Sequence, residues 1–197
     1  MALTGKGSSL LVVSGGQTSF NAIRSVVQTT FSRIVGASSM AQARQIISKG
    51  GIDTIIINTP VPDEFGVDAA LDLAARNHSL CILVLIKAEQ YEQVCYKTKG
   101  SGILLLTRPL KGQMLLEGAR LLVSMRERME ILEENNKKLK RRLDDMSIVT
   151  RAKCLLIEKK HMTEEEAHYY LEREAMDGSQ TKREIAESLI AELADDT

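Results

Sequence analysis

The stretch DTIIINTPVPDEFGVDAALDLAARN, residues 53–77, decides the fold. DTIIIN (53–58) is a short run of branched aliphatics, as in a strand covered on both faces, and Pro60 and Pro62 end it. From Gly66 the apolar residues recur at helical spacing, so the segment reads strand, loop, helix. The same rhythm extends in both directions. SLLVVS (9–14), RIVGA (33–37), CILVLI (81–86) and GILLL (102–106) are further strand candidates, and helices are expected at about 18–30, 39–49, 66–77 and 89–98. Gly15-Gly16, Gly50-Gly51 and Gly100/Gly102 punctuate the series. Five strands with intervening helices imply a doubly wound, flavodoxin-like parallel sheet, because right-handed crossovers put helices on both faces.

Composition bounds what such a chain does. With 197 residues, 44% of them apolar, there is room for one full domain and a smaller one. No apolar run is long enough to span a bilayer, and a cytoplasmic location is expected. Three cysteines without CxxC spacing and three scattered histidines suggest no disulfide framework, no metal site and no cofactor. The formal charge is +0, with seven bases against twelve acids over 147–197. Bulk charge therefore does not announce a nucleic-acid binder, and any such activity must use local basic clusters.

From Leu122 the spacing becomes a strict alternation of three and four. Leu122, Met129, Asn136 and Leu143 fall at heptad position a, and Met125, Leu132, Leu139 and Met146 at d. A seam of this kind wants a partner helix. A single polar residue at an a position, here Asn136, fixes register and a two-stranded state, and Arg128 at g could reach Glu133 at e of a second chain. The expectation is a parallel homodimeric coiled coil over 121–146. The alternative is one long helix packed on its own sheet, which would call for a broader apolar stripe.

A compact helical unit follows over 147–197. Ile148, Ala152, Leu155 and Leu156 extend the long helix with one apolar face. Thr163-Glu-Glu-Glu166 reads as a capping box opening a second helix with Ala167, Tyr170, Leu171 and Ala175 inward, and Thr181-Lys-Arg-Glu184 as a second box opening a third helix with Ile185, Leu189 and Leu193.

The N-terminal rhythm, with DTIIINTPVPDEFGVD and then LLLTRPL, resembles the receiver domain of two-component response regulators over residues 8–120, behind a disordered N-terminus of residues 1–7. The resemblance implies a phosphoacceptor aspartate after the third strand, an acidic pair for Mg²⁺ after the first, a hydroxyl after the fourth and a cis Lys-Pro after the fifth. Those places hold Asn58, Ser14 with Gly15, Ile86 or Lys87, and Arg108-Pro109. An amide is no nucleophile for an acyl phosphate, and Ser14 and Gly15 offer Mg²⁺ no carboxylate oxygen. A pseudo-receiver, closed to Asp phosphorylation, is expected. Gly15-Gly16 matches no nucleotide-binding motif, and Asp63, Glu64 and Asp68 read as a solvated loop and helix start before they read as a cation site.

VTRAKCLLIEKKHMTEEEAHYYLEREAMDGSQTKREIAESLI (149–190) resembles the ANTAR domain, the three-helix output module of bacterial transcription antitermination regulators. The resemblance implies a non-enzymatic regulator that binds paired stem-loops in nascent transcripts as a dimer. It departs from the family at Cys154, where a smaller residue is usual, and at Glu172, where arginine is frequent; here Arg173 comes one position later, about 100° around the helix. Cys154 is expected to be a small packed residue. Candidate RNA contacts are the basic and aromatic residues left once the core faces are assigned: Arg151, Lys153, Lys159, Lys160, Tyr169, Arg173, Lys182 and Arg183. Tyrosine and arginine stack on loop bases and lysine anchors phosphates. The competing readings are a DNA-binding transcription factor, disfavoured because KREIAESLIAEL offers few base-reading side chains, and an adaptor whose halves bind proteins. Input at the receiver-like half would come from a protein or a small molecule, and no membrane partner is expected.

Overall fold

The computed structural model describes residues 8–194; the N-terminal segment 1–7, expected to be disordered, lies outside them. The chain divides into two compact units, Met1–Ile131 and Leu132–Thr197.

In the first unit five parallel strands, β1 (Ser9–Ser14), β2 (Arg33–Ala37), β3 (Thr54–Asn58), β4 (Cys81–Lys87) and β5 (Leu104–Arg108), lie in the order β2-β1-β3-β4-β5. Helices α1 (Gln17–Val27), α2 (Met40–Ser48), α3 (Gly66–Arg76) and α4 (Tyr91–Lys97) alternate with them, and α5 (Gly112–Lys160) follows. Alternate residues along each strand serve opposite faces. Leu11, Val13, Ile55, Ile57, Val84 and Ile86 pack with Met40 and Ala43 of α2, Ala69, Ala70 and Leu73 of α3, and Val94 of α4. Leu10, Val12, Ile56, Leu83 and Leu85 pack with Ile23 and Val27 of α1 and with Leu115, Ala119 and Leu122 of α5. This is the doubly wound sheet that the aliphatic runs imply.

Two boundaries moved. β5 begins at Leu104, after Gly100 and Gly102, whose φ angles of +78° and +73° belong to the left-handed region and interrupt extended backbone. The fourth helix is short and follows a single 3₁₀ turn, Ala88–Gln90.

The dimer seam needs a correction at its start. Leu122 is fully buried in the first unit's own core, and Met125 and Met129 are half-buried against it. The Met129 sulfur lies 3.9 Å from that of Cys81, whose thiol pKa is raised by burial. A helix that must close one face of the sheet and then continue uses the same three-four spacing for both tasks, so periodicity alone could not separate them. Leu132, Leu139, Leu143 and Met146 are all more than half exposed, and Asn136 is exposed among them.

In the second unit the C-terminal part of α5 packs with α6 (Glu164–Asp177) and α7 (Lys182–Ala194) around Ala152, Leu156, Ala167, Leu171, Ala186, Leu189 and Leu193. Both capping boxes form. The Thr163 amide donates to Glu166 Oε2 at 2.8 Å while the Glu166 amide donates to Thr163 Oγ1 at 3.2 Å; Thr181 and Glu184 repeat the exchange at 2.7 and 3.3 Å. These bonds to backbone amides hold both glutamates below the usual carboxylate range. Cys154, expected to be packed, is exposed: the apolar face of α5 here runs through Ala152, Leu155 and Leu156, and position 154 falls off it.

Candidate nucleic-acid interface and receiver-like strand tips

At the carboxyl edge of the sheet, register puts Ser14 beside Asn58 and Lys87 beside Arg108. The Asn58 amide nitrogen donates to Ser14 Oγ at 3.2 Å, and both residues are buried. The tips of β1 and β3 thus carry a neutral hydrogen-bonded pair. Gly15 follows, and a Cβ built there would stand 3.1 Å from Pro62 Cγ. Thr59 donates its hydroxyl to the Leu85 carbonyl at 2.7 Å. Arg108 donates to the Thr59 carbonyl, and Arg108-Pro109 is cis, as is Thr59-Pro60.

Each acid of the following loop has its own partner. Asp63 accepts from the Met40 and Ala41 amides at 3.0 and 2.9 Å, closing the N-terminus of α2, and these bonds lower its pKa. Glu64 makes a two-pronged ion pair with Arg44, and Asp68 pairs with Lys97. Among the described residues no group of three or more His, Cys, Asp or Glu could hold a metal ion.

In the second unit the eight candidate contacts separate into two sets. Lys153 pairs with Glu164, Lys159 donates to the Leu193 carbonyl, and Lys182 pairs with Glu172. Arg183 reaches Asp145 at 2.6 Å, Glu187 at 2.8 Å and Asp144 at 3.2 Å, and these carboxylates raise its already high pKa. Those four side chains are committed to holding helices together. Of the others, Arg151 is exposed on α5, while Lys160, Tyr169 and Arg173, the last also 3.8 Å from Glu174, line one concavity of about 460 Å³ at the α5–α6 corner together with His161, Met162, Glu166 and Tyr170. Tyr169 is 75% exposed, and the Lys160 ammonium stands 5.8 Å from the centre of the Tyr170 ring, within cation–π range.

The structure also accounts for the departure at Glu172 in α6. Glu172 accepts from Lys182 and, at 3.3 Å, pairs with His168; the Lys182 bond chiefly lowers its pKa. Arg173, one position on, enters the concavity instead. His161 was missed as a lining residue: its φ of 54° reverses the chain between α5 and the Thr163 cap, and its only signal in the sequence is that it stands just before the capping box.

Residues 137–190 match the family model described as the ANTAR domain. The chain carries an ANTAR domain behind a domain of receiver-like fold. It is 29% identical over 142 residues to the transcriptional regulatory protein PdtaR of Mycobacterium tuberculosis, covering 72% of this chain and 68% of that one. The sheet domain resembles a response regulator receiver domain protein from Clostridium thermocellum (TM-score 0.56, 16% identity, 62% of this chain and 98% of that one). It also resembles a CheY-like receiver domain protein from Methanospirillum hungatei (TM-score 0.57, 11% identity, 63% and 99%). At these identities the solved structures establish the fold. The ANTAR match takes in α6, most of α7 and the part of α5 that carries the exposed leucines Leu139 and Leu143.

Proposed function

We propose that this protein is a transcription antitermination regulator that binds paired stem-loops of nascent RNA as a homodimer, with a receiver-like half that is not switched by Asp phosphorylation. The observation that carries the reading is the concavity of the ANTAR domain, where Lys160, Tyr169 and Arg173 meet. An exposed tyrosine edged by two cations suits an unstacked loop base with its flanking phosphates. The apolar stripe Leu132, Leu139, Leu143 and Met146, with Asn136, supports a parallel pairing of two chains. Two linked modules then engage two loops, and linkage raises the effective concentration of the second contact. Work on nascent transcripts fits a cytoplasmic protein, and among the described residues no helix is long and apolar enough to cross a membrane.

The acidic balance of residues 147–197 argues for recognition of RNA shape with a modest salt slope. At the receiver-like half, the Asn58–Ser14 pair supports the absence of acyl-phosphate chemistry, since neither side chain is a carboxylate.

Gel shifts with a two-stem-loop RNA, a scrambled RNA and duplex DNA test the reading. The two-stem-loop RNA is expected to bind most tightly, and Tyr169→Ala to weaken it by about fivefold or more, given roughly 1–3 kcal/mol per stacked base. Preference for duplex DNA would instead support a DNA-binding factor. Equal weak binding to all three would sink the proposal.

A further inference from the structure

We propose that the cleft at the carboxyl ends of β4 and β5 binds a small organic anion, its acidic group between Lys87 and Arg108 and its apolar body against Val61, Phe65 and Val94. The cleft has a volume of about 750 Å³ and lies outside the carboxyl ends of the strands, the edge on which open α/β sheets take their ligands. Two cations stand directly opposite each other on neighbouring strands, an arrangement that is unfavourable by itself. The end of β3 offers them no carboxylate, since it carries the Asn58 amide, which is turned to Ser14.

The other charges around the cleft are already engaged. Asp63 is held by the amides of α2, Glu64 by Arg44, and Asp68 by Lys97. Among the described residues Lys87 and Arg108 have no carboxylate partner. Arg108 donates one bond to the Thr59 carbonyl, but its Nε is buried without a hydrogen-bond partner, a costly state for a charged group. An anion would satisfy both cations. Phe65, 79% exposed at the same cleft, supplies an apolar surface that an inorganic ion would leave bare, which favours an anion with a hydrocarbon part.

The test uses the full chain, isothermal titration calorimetry, and phenyl phosphate and benzoate as probes, with inorganic phosphate and benzyl alcohol as their polar and apolar halves. At least one of the two aromatic anions is expected to bind saturably and more tightly than either half, and the tighter of the two identifies the acidic group preferred. Lys87→Gln, at an exposed side chain, is expected to weaken that probe by about tenfold or more, the loss of a charge-assisted bond. Lys49→Gln, an exposed lysine that does not line the cleft, is expected to leave it unchanged. Failure of both anions to saturate, benzyl alcohol binding as tightly as they do, or equal losses in the two variants would each overturn the proposal. RNA binding does not enter these measurements, so their failure would leave the antitermination reading intact.

Discussion

Truncating two leucines of the exposed stripe, Leu139→Ala with Leu143→Ala, separates a dimer seam from solvated helix surface. The two side chains are 58% and 67% exposed in the single chain. Fully burying a leucine side chain is worth about 1.5–3 kcal/mol, so roughly 1–2 kcal/mol per leucine is still to be gained on pairing. Two leucines from each chain make four, and alanine keeps about a quarter of each side chain's carbon, so the variant should lose about 3–6 kcal/mol of dimer free energy. That corresponds to roughly two to four orders of magnitude in the dimer dissociation constant. Sedimentation equilibrium from low micromolar to near-millimolar protein measures it directly. Far-UV circular dichroism should show unchanged helix, because alanine is the best helix former and neither leucine is in a core of the single chain. A wild-type chain that is monomeric over the whole range would refute the reasoning, as would a variant that dimerises as well as the parent.

Three other outcomes follow from the same structure. Asn58→Asp, incubated with acetyl phosphate and Mg²⁺, should show no added phosphoryl mass by intact-protein mass spectrometry, because Ser14 and Gly15 still give the metal no carboxylate; a single phosphoryl adduct would contradict this. Leu171→Ala, at a side chain 1% exposed in the ANTAR core, should destabilise that unit by about 2–5 kcal/mol in urea unfolding, whereas a loss below about 1 kcal/mol would mean that α6 is not anchored there. Glu166 and Glu184 have pKa values lowered in the fold, so their stabilising effect is complete above the ordinary glutamate range and is lost as pH falls through their lowered values. Melting temperature should therefore drop in acid more steeply for the parent than for Glu166→Gln with Glu184→Gln, which removes the two titrating groups, and equal slopes would argue against the boxes as its source.

The sheet was legible because strands buried on both faces leave continuous aliphatic runs, and the runs at 9–14, 53–58 and 81–86 have few other uses. Thr163 and Thr181 were legible as caps because a hydroxyl three residues before a glutamate is a local signal, complete within one turn of chain. What sequence could not supply was the assignment of side chains that have two compatible roles. Leu122, Met125 and Met129 satisfy a heptad and a sheet-covering helix equally, and only the fold decides between them. Lys153, Lys182 and Arg183 looked like surface cations suited to RNA, but their partners Glu164, Glu172 and Asp145 lie eleven, ten and thirty-eight residues away along the chain. The meeting of Lys160, Tyr169 and Arg173 was invisible for the same reason, since it depends on the angle at which α6 leaves the turn at His161.

The mooring of Asp63 and Glu64 to α2 makes the two walls of the neighbouring cleft mechanically unequal. One wall is strapped by two backbone amides and a forked guanidinium. The opposite wall rests on a seven-residue helix whose one buried side chain is Val94, tied across by the exposed pair of Lys97 with Asp68. Any occupant that needs more room should displace that second wall and leave the first where it is, so strain from below the cleft would be delivered to α4.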